Sequence, residues 1–158
     1  MEIKGLGRPR IFQYGVLMSS ETQLKQGVRL KPEFIKAERP EITRRILVVD
    51  DEAGILKAIK RFLGKLEAEI VLVDPLQPIK EQVLSMAERE AYDLIIMDGL
   101  MPGIAGADLT GELRNRGFQG YIVANSSMPE EQTRMLRAGA DFSNPDKNIT
   151  KLLGFFAI

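Results

Sequence analysis

From Arg45 onward, short apolar runs alternate with longer amphipathic stretches. Ile46-Leu47-Val48-Val49 is a continuous apolar run rich in β-branched residues, the pattern of a strand buried on both faces. It ends in Asp50-Asp51-Glu52, a polar cluster that can also start a helix. Ile55, Leu56, Ile59, Phe62, Leu63 and Leu66 then recur at helical spacing. Ile70–Val73 predicts a second strand closed by Asp74-Pro75, and a helix carrying Ile79, Val83, Leu84 and Met86 follows Pro78. Leu94–Met97 predicts a third strand ending in Asp98. Pro102 and Gly103 punctuate the loop after it, before a helix marked by Leu109 and Leu113 that Gly117 stops. Tyr121–Ala124 reads as a fourth strand, Pro129 to Ala138 as a fourth helix with Met135 and Leu136 inward, and Ala140–Ser143 as a short fifth strand. A last helix begins near Asn148 and runs into Phe155-Phe156-Ala157-Ile158, an apolar end that packs on the sheet or meets a partner.

Strands alternating with crossover helices predict an α/β fold: a parallel sheet with helices on both faces. Right-handed crossovers leave few topologies, and this length fits a flavodoxin-like, doubly wound, five-stranded sheet of order 2-1-3-4-5. Ligands of such sheets lie beyond the carboxyl ends of the strands, so the side chains at those ends matter most.

Charge divides the chain. Of its 158 residues, 22 are basic and 22 acidic, yet residues 1–45 hold 10 Lys/Arg against 5 Asp/Glu and residues 46–158 hold 12 against 17. This places a boundary near Arg44-Arg45, with a basic extension over 1–44 and the α/β domain over 45–158. In the extension, Ile11–Met18 and Gly27–Leu30 are apolar enough to pair as a short hairpin, against a simpler reading as a basic, partly disordered linker. Gly7-Arg8-Pro9-Arg10 has the look of a minor-groove hook, but one Gly-Arg-Pro is frequent by chance and nucleic acid is not the expected partner. The apolar runs are too short to cross a bilayer, and Met1–Gly5 lacks the plan of a secretory signal, so no membrane role and a cytoplasmic location are expected.

Composition narrows the chemistry. With no Cys and no His, thiolate nucleophiles, imidazole bases, zinc clusters and Ser-His-Asp triads are excluded. What remains is carboxylates, hydroxyls, amines and backbone groups. The predicted winding brings Asp50 and Asp51 after the first strand, Asp98 after the third, Asn125-Ser126-Ser127 after the fourth and Lys147 beyond the fifth to one rim. Carboxylates packed together repel, and a hard divalent cation relieves them; with oxygen ligands alone, Mg²⁺ is favoured over zinc. A carboxylate beside such a metal can attack a phosphoryl group while hydroxyl and ammonium donors take up its charge. Against this stand plainer roles: Asp50-Asp51 capping the first helix, Asp98 as a loop acid, Ser126-Ser127 as turn residues and Lys147 as a solvated lysine.

The runs Ile46–Glu52, Asp93–Gly103 and Ala138-Gly139-Ala140-Asp141 resemble the receiver domain of two-component response regulators. The resemblance covers roughly residues 45–154 and implies that Asp98 accepts a phosphoryl group from a histidine kinase or phosphotransfer protein. It implies Mg²⁺ held by Asp50, Asp51, Asp98 and the backbone carbonyl of Leu100. It also implies a switch hydroxyl at Ser126 or Ser127, with Ser126 the better fit if Val123-Ala124-Asn125 completes the strand. The family's lysine directly precedes a proline after the fifth strand. Here Asn144 stands before Pro145 and the nearest lysine, Lys147, comes three residues later, so either the loop returns Lys147 to the site or the lysine role is lost. Phe142 falls where the family carries a rotating aromatic.

No output domain is expected after the receiver, which points to a stand-alone phosphoacceptor acting through an unknown downstream protein. It is not expected to be an enzyme beyond its own phosphorylation. Two alternatives stand beside it. The displaced lysine motivates a pseudo-receiver, a binding module with impaired phosphorylation. An aspartyl-nucleophile phosphohydrolase fits less well, because such enzymes carry Asp-x-Asp after the first strand and here the paired acids are adjacent.

Overall fold

The computed structural model describes residues 44–153. The expected hairpin, the Gly7–Arg10 segment and the apolar Phe155–Ile158 end lie outside the described residues. The elements are β1 (Arg44–Val49), α1 (Ala53–Leu63), β2 (Ala68–Leu72), α2 (Ile79–Arg89), β3 (Leu94–Asp98), β4 (Leu100–Met101), β5 (Ile104–Ala105), α3 (Gly106–Asn115), β6 (Tyr121–Ser126), α4 (Pro129–Ala138), β7 (Phe142–Pro145) and α5 (Ile149–Leu153).

Continuous apolar runs make the central strands because both faces of the sheet are covered. The main sheet has the order β2-β1-β3-β6-β7, all parallel, which is the expected 2-1-3-4-5 winding once the small β4–β5 hairpin is set aside. Helices α1 and α5 pack together, while α2, α3 and α4 pack in succession. Between them lies one core built from Ile46–Val49, Ile95–Met97 and Ile122–Ala124, closed by Leu56, Ile59, Leu63, Val83, Leu109, Leu113, Met135 and Leu152.

The edges of the sheet depart from the sequence reading. Strand β2 starts two residues early, at Ala68, because Glu69 pairs with Arg45 in register and its carboxylate meets the Arg45 guanidinium at 2.7 Å. An edge strand tolerates that polar position. The last strand runs over Phe142–Pro145 instead of Ala140–Ser143. Gly139 takes the left-handed conformation at φ 117°, and the Ala140 N–H still donates to the Met135 carbonyl, so pairing cannot begin until the turn is complete. Pro145 is acceptable at the end of this edge strand, where its missing N–H breaks no ladder.

Candidate functional site

Register alone assembles the rim. Val49 pairs with Met97, Asp98 with Asn125 and Asn125 with Asn144, so Asp50, Asp98, Asn125 and Asn144 form one row at the carboxyl edge of four neighbouring strands. Asp50, Asp98, Asn125 and Asn144 are all buried. Asp50, Asp51 and Asp98 each offer a carboxylate oxygen within 4.8 Å of the others.

Asp50 does not cap α1. The N-cap is Glu52, with no side-chain cap bond, and the Asp50 Oδ1 instead accepts the Glu52 N–H at 2.9 Å. That bond turns the chain out of β1 and leaves Oδ2 facing the rim. Asp98 Oδ1 accepts the Gly99 N–H at 2.8 Å, which fixes its rotamer from its own backbone.

Lys147 reaches the same place by a separate route. After Pro145 the chain makes a turn in which Asp146 and Lys147 both take positive φ, 62° and 48°. The turn carries the Lys147 Nζ to 2.8 Å from Asp98 Oδ1 and 3.0 Å from Asp50 Oδ2. Of the two readings of the displaced lysine, the structure adopts the one in which the loop returns it. Burial raises the Asp98 pKa above the ordinary carboxylate range and the Asp50 charge adds to the rise, against the pull of Lys147 and the Gly99 N–H. Burial pulls the Lys147 pKa down, but the Asp98 and Asp50 carboxylates outweigh it and hold the ammonium above its ordinary value.

Ser126 ends β6 and is buried, whereas Ser127 is exposed. The strand runs to Ser126 itself, two residues past the apolar run. Its Oγ accepts the Met128 N–H at 3.2 Å, and its carbonyl accepts the Gln132 amide at 2.6 Å. A Cβ on Gly99 would lie 2.8 Å from Ser126 Oγ, so this hydroxyl sits directly against the residue after Asp98. Leu100 opens β4, two residues beyond Asp98, with its side chain half exposed. Phe142 is buried with its ring 5.8 Å from that of Tyr121.

Two glycines at the site carry more weight than their place in a punctuated loop suggests. A Cβ on Gly106 would meet the Asp98 carbonyl oxygen at 2.0 Å, and the Gly106 N–H donates to the Gly99 carbonyl at 2.8 Å. The Leu100–Met101 and Ile104–Ala105 hairpin, turning at Gly103 with φ 81°, brings that backbone back under Asp98. Its two-residue strands are too short for a periodicity signal.

The site therefore unites three carboxylates, one ammonium and a buried hydroxyl at the end of a parallel sheet. Oxygen donors at this spacing suit a hard divalent cation such as Mg²⁺. Asp98, buried at the end of β3, is open to attack chemistry only as a carboxylate, a form that its contact with Lys147 favours.

A sequence model of the response regulator receiver domain matches residues 46–143. Over 113 residues the chain is 32% identical to the virulence sensor protein BvgS of Bordetella pertussis, covering 65% of this chain and 9% of that protein. It is 28% identical over 102 residues to the alkaline phosphatase synthesis transcriptional regulatory protein PhoP of Bacillus subtilis, covering 63% of this chain and 41% of that one. The chain thus spans about a tenth of the sensor and less than half of the regulator. Among solved structures, the response regulator TrrA of Thermotoga maritima in complex with Mg²⁺ and BeF aligns with a TM-score of 0.60 at 28% identity, covering 72% of this chain and all of that one.

Proposed function

This chain belongs to the response regulator receiver domain family, and on that premise we propose that Asp98 is its phosphoacceptor, with Lys147 and Ser126 taking up the charge of the transferred group. Receiver domains are phosphorylated by histidine kinases or phosphotransfer proteins, and a phosphohistidine is the donor proposed here. In the transfer a carboxylate oxygen of Asp98 forms the new O–P bond. The donor's P–N bond breaks and its electron pair stays on the imidazole nitrogen. Lys147, already 2.8 Å from Asp98, is placed to neutralise a phosphoryl oxygen, and the buried Ser126 hydroxyl can turn from the Met128 N–H to donate to another.

Asp50, Asp51 and Asp98, with the Leu100 carbonyl, are the residues that would hold Mg²⁺; bound there, the ion draws charge from the phosphoryl oxygens and lowers the repulsion between donor and acceptor. What supports this is the all-oxygen cluster, its oxygens within 4.8 Å of one another. The observation that carries the whole reading is the double contact of one ammonium with Asp98 and Asp50. It also answers in geometry the motive for a pseudo-receiver, the lysine's displacement in sequence.

Output follows from contacts that exist only with the phosphoryl present, because these alone bias one conformation over another. The downstream partner is a protein that reads that bias. Incubation with acetyl phosphate and Mg²⁺ tests the acceptor: intact mass should rise by one phosphoryl group in the natural protein and not in Asp98→Asn. Equal labelling of that variant would refute the assignment.

A further inference from the structure

We propose that Asn144 is a positioning residue that delivers Lys147 to the acidic rim, an inference that rests on the phosphoacceptor reading above. Asn144 stands where a lysine would directly precede the proline, and it is fully buried. Its Nδ2 donates twice: to Asn125 Oδ1 on the neighbouring strand at 2.8 Å, and to the backbone carbonyl of Asn148 at 3.1 Å. The second bond crosses the turn that holds Lys147. Since a backbone carbonyl can only accept, it fixes which end of the carboxamide faces it.

The turn needs such a hold. Asp146 and Lys147 are consecutive side-chain-bearing residues in the left-handed region, a conformation that residues with a Cβ adopt reluctantly even singly. The turn's own closure, from the Asn148 N–H to the Pro145 carbonyl, is long at 3.4 Å. Asn148 in turn immediately precedes α5 and caps it: its carbonyl receives the Leu152 N–H at 3.2 Å and its Oδ1 the Lys151 N–H at 3.1 Å. Asn144 thereby ties strand β6, the turn and the start of α5 together, and Lys147 is the residue suspended between the fixed points. One cost is visible. Asn144 Oδ1 is buried without a hydrogen-bond partner, which an apolar residue would avoid, so the position is better explained by what Nδ2 holds than by packing.

The test uses the full chain and two readouts. In the first, nitrogen NMR follows the Lys147 side-chain ammonium, assigned by its loss in Lys147→Ala, with the protected Ile122 amide as a check on the fold. Asn144→Leu, with the same branching but without the donor, should move the ammonium signal to that of a solvated lysine. Asp146→Pro, which cannot adopt positive φ, should do the same. In the second, the labelling rate with acetyl phosphate and Mg²⁺ should fall about tenfold in Asn144→Leu, as in Lys147→Ala, with no further fall in the double variant. A retained ammonium signal in Asn144→Leu, or an equal added loss in the double variant, would overturn the proposal. Should leucine expose the Ile122 amide, Asn144→Ala, which adds no volume, makes the same comparison. If the natural protein takes no label at all, the phosphoacceptor reading fails while the ammonium signal still decides the role of Asn144.

Discussion

At the scale of single residues, the approach of one backbone to another constrains the site as much as the chemical groups do. Gly106 shows this most sharply, because its missing Cβ is the space occupied by the Asp98 carbonyl oxygen. Gly106→Ala should cost about 3 kcal/mol in denaturant unfolding and slow labelling at Asp98, since the added methyl can be accommodated only by moving backbone. A similar loss is not expected from Gly111→Ala, where nothing lies within 4 Å of the added atom. The opposite rim of the sheet supplies a residue with a pH signature. The Tyr92 hydroxyl is pushed up to about 12 by burial and by its hydrogen bond to Glu90 at 2.8 Å, while the Arg45 guanidinium sits over its ring at 5.2 Å. A phenol whose folded pKa exceeds its unfolded value contributes stability fully present below the unfolded pKa of about 10. That contribution is lost as pH rises from about 10 through about 12. Tyr92→Phe should flatten this part of the alkaline unfolding profile and remove the phenolate step near pH 12 from an ultraviolet titration. An unchanged profile would show that the hydroxyl is not held in this way.

At the scale of elements, legibility followed burial. Strands β1, β3 and β6 announced themselves because both their faces are covered, so Ile46–Val49, Leu94–Met97 and Tyr121–Ala124 are continuously apolar. The edge strands did not: β2 admits Glu69, and three of the four residues of β7 are Ser143, Asn144 and Pro145, which carry no strand signal. Missing β7's true span also hid the row from Asp50 to Asn144, and with it the reason that an asparagine could stand in the lysine's place. Lys147 was legible as a candidate because it lies beyond the fifth strand and is the lysine nearest the pre-proline place; the turn that delivers it, two left-handed residues without glycine, had no local cue. Another link invisible to periodicity joins α3 to the α4–β7 turn. Arg114 donates to the carbonyls of Gly139, Phe118 and Gly120 and to Asp141 Oδ2 at 2.7 Å, and Asp141 Oδ2 also receives the Ile122 N–H. Arg114→Ala should cost about 3–5 kcal/mol, because it strips the guanidinium from a buried carboxylate and its donors from three carbonyls. Arg114→Lys should recover little of that, as one ammonium cannot reproduce the planar fork. Arg116→Ala, which breaks pairs with Glu88 and Glu112 that are partly exposed, should cost under about 1 kcal/mol. Chemical denaturation of the three variants checks the ranking; equal losses would mean that Arg114 is no tie between elements.

At the scale of the whole molecule, the fold concentrates charge at one end of a neutral core and leaves it incompletely compensated. When ionised, three carboxylates stand against the one ammonium of Lys147, a local surplus of two negative charges. Apolar strands ending in these acids therefore hold repulsion that the core must oppose, and a divalent cation matches the surplus in both charge and ligand type. Binding that favours the folded state alone must raise its stability, by about 2.7 kcal/mol when the free ion is about 100 times its dissociation constant. Mg²⁺ should therefore raise the thermal midpoint saturably, while a monovalent salt at equal ionic strength should not, since screening alone does not saturate at a stoichiometric site. The choice of variant matters. Asp50 also holds the Glu52 N–H and Lys147, so changing it would confound metal loss with local unfolding. Half-buried Asp51 is the cleaner probe: Asp51→Asn should fold with a midpoint close to that of the natural protein in chelator and lose most of the Mg²⁺-dependent rise. A natural protein whose midpoint ignores Mg²⁺, with calorimetry showing no ion uptake, would mean that Lys147 alone balances the rim and that the acids do not constitute a metal site.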